Sequence, residues 1–288
     1  MQLANEFNPF QNNYSINCKG VLMDFSTPKI MGIVNLTPDS FFTKSRFQAE
    51  NEILQQVEKM LLEGADIIDL GAFSSRPNSD FISLQEEQVR LLFPLKKIIQ
   101  EFPSAILSID TYRSEIAKQS VQEGAVIIND ISGGDLDDKM FETIAALKVP
   151  YVMMHMKGTP KTMQQSPEYD DVFQEIYKSF SSKLARLNDV GVNDVVLDVG
   201  FGFGKTLTHN YTLLKKLNYF HSLQRPVLVG LSRKGMIQKV IGAVAEDALN
   251  GTTAAHVLAL QNGANILRVH DLKEAKEAIQ IVDFYQKQ

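Results

Sequence analysis

Eight short apolar runs in this 288-residue chain finish at or beside residues that can do chemistry: Asn35, Asp69, Asp110, Asn129 with Asp130, His155, Asp198, Ser232, and Arg268 with His270. Asp, Asn and His in such places often serve only as helix caps or turn formers. Capping alone is a poor account of all eight, because caps take Ser or Thr as readily as Asp. The mixture is chemically specific. Asp110, Asn129 and Asp198 offer carboxylate and amide acceptors suited to a flat ring bearing several N–H donors, such as an amino-pyrimidinone. Arg76, Lys234, Arg268 and His270 offer cations and donors suited to a phosphate or pyrophosphate. The expected ligand has a nitrogen-rich ring at one end and an anion at the other.

Three other segments imitate known motifs and fail on spacing. Gly200-Phe201-Gly202-Phe203-Gly204-Lys205-Thr206 resembles a P-loop, but three residues separate Gly200 from Gly204 where the motif needs four. It is not a dinucleotide fingerprint either, since its third glycine arrives one position early. Gly230-Leu231-Ser232-Arg233-Lys234-Gly235 follows an apolar run like a nucleophile elbow, yet its second glycine is one residue late. No partner for Ser232 as a nucleophile is visible in the sequence, so a hydrogen-bonding role is expected. The five histidines lack metal-ligand spacing, and the single cysteine, Cys18, excludes an internal disulfide and a Cys-based zinc site. A magnesium ion held by few protein oxygens and by substrate phosphates would leave no such signature.

The elements that must position these residues follow a regular rhythm. The runs KIMGIVN, ADIIDLG, AILSIDT, AVIINDI, YVMMHMK, DVVLDVG, PVLVGLS and NILRVHD alternate with helix-length amphipathic segments. Continuous apolar strands between helices are what a buried parallel sheet requires. In the first helical segment Ile53, Leu54, Val57, Met60 and Leu61 share a face, and in the second Ser83 precedes Glu86 at capping-box spacing. Gly64, Gly124, Gly191 and Gly263 sit just before strands, where a helix ends in a left-handed turn. Eight βα units close into a barrel of about 250 residues. The expected fold is therefore α/β, one (β/α)8 TIM barrel over residues 29–288. Residues 1–28 form an N-terminal extension with a short β-hairpin, Ser15–Cys18 and Val21–Phe25 around Lys19-Gly20, covering the barrel bottom. Active sites of such barrels open at the strand C-termini, and anions commonly bind after strands seven and eight, which here carry Lys234, Arg268 and His270.

Composition narrows the partners. The chain has 29 basic and 34 acidic side chains, a net charge of −5, with no basic excess to neutralise a nucleic acid. The polar start MQLANEFNPFQNN is not a signal peptide, and no apolar run approaches bilayer length. The sequons at Asn13, Asn35, Asn210 and Asn250 then read as chance, and a soluble cytoplasmic protein is expected.

MGIVNLTPDSF, SSRP, SIDT, INDISGG, VMMHMKGTPKTMQ, DVGFGFGK, VGLSRK and ILRVHD occur in order from about Lys29 to the last helix. Together they resemble the dihydropteroate synthase family. The resemblance implies a cytoplasmic transferase of folate biosynthesis, a sulfonamide target. It would join 6-hydroxymethyl-7,8-dihydropterin diphosphate to 4-aminobenzoate with loss of pyrophosphate, use Mg2+, and form a homodimer. It further implies that Asp110, Asn129 and Asp198 bind the pterin edge while Lys234 reaches the ring from another side. Arg76, Arg268 and His270 would hold the pyrophosphate, and Asn35 would ligate magnesium. Ser75, Pro77, Phe203 and Ser232 match positions near the aminobenzoate, and Phe41 lies on a mobile first loop. Asp110, Lys234, Arg268 and Asn35 are the expected catalytic residues.

The sequence also departs from that family. Phe42-Thr43-Lys44-Ser45 stands where an Asp-Gly-Gly usually follows, Phe73 replaces a usual glutamate, and Val199 a proline. Two alternatives share the barrel: a corrinoid-linked pterin methyltransferase domain, which has no use for pyrophosphate-binding cations, and a non-catalytic pterin-binding paralogue.

Overall fold

A strand buried on both faces has to be apolar almost throughout, and eight such strands leave no edge only if the sheet closes. That is the arrangement found. The computed structural model describes residues 14–36, 46–73, 82–159, 163 and 167–288, without the side chains of residues 46–49. The barrel strands are β3 (Lys29–Asn35), β4 (Ile67–Gly71), β5 (Leu107–Asp110), β6 (Ile127–Asp130), β7 (Tyr151–Met154), β8 (Val195–Asp198), β9 (Val227–Val229) and β10 (Ile266–Val269). All neighbours are parallel and consecutive, and β10 pairs with β3 to complete the ring.

The described helices are α1 (Arg46–Glu63), α2 (Leu84–Glu101), α3 (Ser114–Glu123), α4 (Met140–Leu147), α5 (Val172–Asp189), α6 (Leu207–Lys215), α7 (Gly235–Ile241), α8 (Leu249–Gln261) and α9 (Leu272–Gln286). Their amphipathic pattern explains their place outside the ring. In α1, Ile53, Val57 and Met60 are buried, whereas Leu54 and Leu61 lie at the edge of the packed face. The four glycines expected to end helices all adopt positive φ. At α2 only half of the expected capping box forms: Ser83 Oγ accepts the Glu86 N–H at 3.1 Å, while the Glu86 carboxylate turns to Arg90. No described helix is long and apolar enough to cross a membrane.

The hairpin forms as expected, with β1 (Ser15–Cys18) and β2 (Val21–Asp24) antiparallel. Its turn residues Lys19 and Gly20 have φ of 50° and 93°, the two left-handed positions of a tight hairpin turn. Alternation then sends Ile16, Cys18 and Met23 to one face. Together with Phe25 they pack on Met31, Ile67, Ile127, Val152, Val196, Leu228 and Ile266, which fill the barrel near the strand starts. The hairpin therefore closes the end opposite the strand C-termini and leaves one open mouth.

Phe25 is fully buried in this plug, whereas Leu22 on the same hairpin is 68% exposed. Phe25→Ala is expected to cost about 3–5 kcal/mol in urea denaturation, and Leu22→Ser less than about 0.5 kcal/mol. Equal losses at the two positions would contradict the plug.

Candidate active site

Inside the mouth, the ends of β4, β5 and β6 bring Asp69, Asp110 and Asn129 together, and Arg268 reaches them from β10. Arg268 Nε donates to Asp69 Oδ2 at 2.7 Å and Nη2 to Asp110 Oδ2 at 2.9 Å. Asn129 Nδ2 donates to the same Asp69 oxygen at 3.1 Å. The remaining oxygens, Asp69 Oδ1 and Asp110 Oδ1, are buried and have no hydrogen-bond partner among the described residues. Acceptors left in that state are costly unless a ligand or water meets them. Burial pushes the Asp110 carboxyl up to about 7; Arg268 opposes the rise, and the negative Asp69, Glu87 and Asp130 add to it.

The opposite wall comes from β8, β9 and the turns after them. Asp198 Oδ1 accepts the Gly200 N–H at 2.8 Å. Burial raises its pKa, against the pull of Lys234, the Gly200 N–H, Arg268 and Lys205. Lys234 Nζ donates to the Phe201 carbonyl at 2.6 Å and stands 4.7 Å from the centre of the Phe203 ring. Burial lowers the Lys234 ammonium to about 8 although Asp198 draws it upward. At the end of β9 a Cβ on Gly230 would sit 4.0 Å from both Asp198 Oδ2 and Lys234 Nζ, so the missing side chain leaves these two charges room to converge.

An apolar wall stands beside these polar groups. Phe73, Tyr112, Ile131, Met154, Met156 and Met163 form a buried cluster, with Phe203, Ile82 and Leu136 packed against it. Phe73 meets Tyr112 edge-on at 5.4 Å between ring centres, so the residue standing in place of a glutamate is part of this wall. Acceptors and cations on one side and apolar side chains on another suit a planar, nitrogen-rich ring.

Several expected residues have other employment. Asp130 accepts from Ser132 N and Oγ, Gly134 N and Tyr151 Oη, so it builds the turn after β6. His155 Nδ1 lies 3.2 Å from Lys205 Nζ, and burial with nearby lysines drives the imidazole down to about 2. Arg233, between two expected site residues, is consumed by Asp271 and by the Ala245 and Glu246 carbonyls. It is a brace between loops, and only Ser232 and Lys234 of that tripeptide belong to the site. Ser232 does have a histidine partner, contrary to the sequence reading: its Oγ is 3.1 Å from His270 Nδ1. Asp271, the carboxylate next to that histidine, is already paired with Arg233.

The P-loop imitation is dismissed by its contacts as well as its spacing. The Gly200, Gly202 and Phe203 N–H groups go to Asp198, Asn210 and Gly200 O, which takes them from any phosphate. Asn35 is exposed at the end of β3. Ser75, Arg76, Pro77 and Phe41 lie outside the described residues, as do Thr43, Lys44 and Ser45. Sequence reasoning assigned no role to Asp69 or Lys205. For Asp69 the signal was strand alternation, since it lies two residues before Gly71 and so faces the barrel like the residue beside Asp110. Lys205 carried no such signal.

The family model described as pterin binding enzyme matches residues 31–270. The chain belongs to the dihydropteroate synthase family. It is 40% identical over 267 residues to the Escherichia coli K12 dihydropteroate synthase, covering 92% of this chain and 94% of that one. The Haemophilus influenzae synthase is 39% identical over 261 residues, covering 90% and 94%. Among solved structures, a Yersinia pestis dihydropteroate synthase with a sulfonamide drug superposes at a TM-score of 0.89 with 38% identity, covering 96% of this chain and 100% of that one. A Xanthomonas albilineans dihydropteroate synthase with 4-aminobenzoic acid gives 0.87 at 33% identity, covering 96% and 99%. Like them, this chain is a transferase fold of the synthase type.

The buried proton of this site has a measurable consequence. Asp110 ordinarily titrates at 3.8 and is raised to about 7 in the folded chain. Its contribution to stability is therefore complete below the lower value and is lost as pH rises through the upper one. In Asp110→Asn the fall in Tm between pH 5 and pH 8 should be shallower than in the wild type. Identical slopes would show that the proton sits elsewhere.

Proposed function

We infer that the chain is a dihydropteroate synthase, joining 6-hydroxymethyl-7,8-dihydropterin diphosphate to 4-aminobenzoate to give 7,8-dihydropteroate and pyrophosphate. The observation that carries this reading is the set Asp110, Asn129 and Asp198 facing Lys234 and Arg268 beside an apolar wall. In this reading Asp110 and Asp198 accept from the amino-pyrimidinone edge. Asn129, whose amide N–H is held by Asp69, offers its carbonyl oxygen to that edge. Lys234 donates to the ring from the β9 side. Arg268 is part of the floor through Nε and Nη2, and with His270 and Arg76 it receives the pyrophosphate. Phe203 and Ser232 seat the aminobenzoate, and the family resemblance assigns Ser75 and Pro77 to the same substrate and Phe41 to the first loop.

The chemistry needs no enzyme nucleophile. The C–O bond of the methylene breaks, its electron pair leaves with the pyrophosphate, and the ring stabilises the methylene cation. The aromatic amine then forms the C–N bond and loses one proton. An ionised Asp110 beside the ring favours the cation, and Arg268 and His270 favour the departing charge. Ser232 is then a hydrogen-bonding group, consistent with the expectation from its sequence.

Among the described residues, no group of three or more His, Cys, Asp or Glu could hold a metal. The exposed Asn35 at the mouth is an oxygen donor, which fits a magnesium ion held otherwise by a diphosphate and water. When bound, the ion would neutralise charge on the leaving group. The reading extends to a cytoplasmic homodimer. Thr252, Ala255, His256, Ala259 and Leu260 of α8 are buried, so that face of the helix is internal packing. The surface favoured for pairing is instead Val240, Ile241 and Val244, which are 59%, 45% and 58% exposed.

With both substrates and magnesium, dihydropteroate and pyrophosphate are expected in equal amounts, with sulfonamides competing against 4-aminobenzoate. Chelation should lower the rate at least about tenfold. Binding of the pterin diphosphate without turnover would instead identify a non-catalytic pterin-binding paralogue. In the same assay Asp110→Asn should lower kcat/KM for the pterin substrate by about 10²-fold or more, and unchanged kinetics would remove Asp110 from the site.

A further inference from the structure

The turn Gly200–Lys205 between β8 and α6 is gripped along its length by side chains. Phe201 O receives Lys234 Nζ at 2.6 Å, and Gly202 N donates to Asn210 Oδ1 at 2.7 Å. Gly204 O receives Tyr169 Oη at 2.9 Å. Two of its glycines are required by contact: a Cβ at Gly200 would stand 2.0 Å from His155 O, and one at Gly204 would stand 2.5 Å from Lys157 O. The turn therefore lies directly on the segment leaving β7, and the His155 and Phe203 carbonyls face one small buried space.

Lys205 fills that space. It is 4% exposed, and its Nζ is 2.9 Å from Phe203 O, 3.1 Å from His155 O and 3.2 Å from His155 Nδ1. Burial lowers this amine to about 7 although Asp198 draws it upward; protonated, it has three N–H donors, and three acceptors surround it. The imidazole can accept because His155 is neutral, so the lysine ties two carbonyls that would otherwise repel. Neither the pterin-edge acceptors nor the pyrophosphate cations of the proposed mechanism make use of this residue.

We propose that Lys205 is a positioning residue: by joining the Phe203 carbonyl to the strand end at His155, it sets the Phe203 ring and through it the seat of the aromatic-amine substrate. The proposal rests on the assignment of Phe203 to the aminobenzoate side made above. Lys205→Met removes all three donors, while Lys205→Gln keeps a shorter, neutral N–H donor. In steady-state assays with the full chain, Lys205→Met should raise KM for 4-aminobenzoate about tenfold, with Lys205→Gln in between, while KM for the pterin diphosphate stays within about twofold. Both variants will lose some thermal stability, which does not discriminate.

Three outcomes overturn the proposal: an unchanged aminobenzoate KM in a folded variant, an equal rise for both substrates, or failure of both variants to fold, which would make Lys205 a residue of stability alone. A wild-type chain that forms no dihydropteroate would refute the functional reading instead. Calorimetric affinity for 4-aminobenzoate, measured with pterin and pyrophosphate present, then decides on Lys205 by the same tenfold criterion.

Discussion

The fork of Arg268 between Asp69 and Asp110 is the interaction on which the rest of the mouth depends. Two carboxylates on adjacent strands inside an apolar ring would repel each other and lose their hydration. One guanidinium, reaching from β10 across β3, supplies both with a charged donor. Removing one member of such a buried set typically costs about 3–5 kcal/mol, because the others are left unpaired. The fork also ties the last strand to the second and third strands of the ring, β4 and β5, across the point where β10 and β3 close it. Fold and site are therefore coupled: the residue that completes the barrel's polar layer also holds the acceptors at its floor.

The hairpin makes this arrangement possible from the other end. A charged layer is tolerable at the mouth because the interior below it is dry and filled. Phe25, Ile16 and Met23 meet the inward residues near the strand starts and fill that end of the barrel. Burial is also what lifts Asp110 and Asp198 and lowers Lys234. The shifted proton affinities of the site are thus consequences of burial first and of the neighbouring charges second.

Much of this was legible in the sequence, and the part that was not has a common cause. Eight apolar runs dictated a closed parallel sheet, and their position at the ends of those runs placed Asp110, Asn129 and Asp198 at its mouth. The hairpin could be read from Lys19-Gly20 and the alternating residues beside it. What a linear sequence cannot display is which polar groups consume one another. Asp130 looked equivalent to Asn129 but is saturated by Ser132, Gly134 and Tyr151. Arg233 stands between two expected site residues, Ser232 and Lys234, but is saturated by Asp271 and two carbonyls. Ser232 looked solitary, yet its partner His270 lies 38 residues away. Lys205 was hidden for the same reason, since its three acceptors come from His155, just after β7, and from its own turn.

The distribution of the remaining charges explains how one orientation of a two-ended ligand is imposed. Acceptors cluster in the sector of β4, β5 and β6, as Asp69, Asp110 and Asn129. Cations follow β8, β9 and β10, as Lys205, Lys234 and Arg268, with Asp198 between the two groups. Arg268 is paired with Asp69 and Asp110, and Lys234 faces Asp198, so the floor can be stripped of water with its acidic groups matched by nearby cations. A ring with N–H donors is drawn to one sector, and an anion placed there would face carboxylates. The same anion turned toward β9 and β10 meets Arg268 and His270. A reversed ligand therefore sets its anion against carboxylates and its N–H donors against cationic donors, and in a site of low dielectric the first penalty is larger than any single hydrogen bond lost. Orientation follows from the order of strands around the ring, before any loop closes over the mouth.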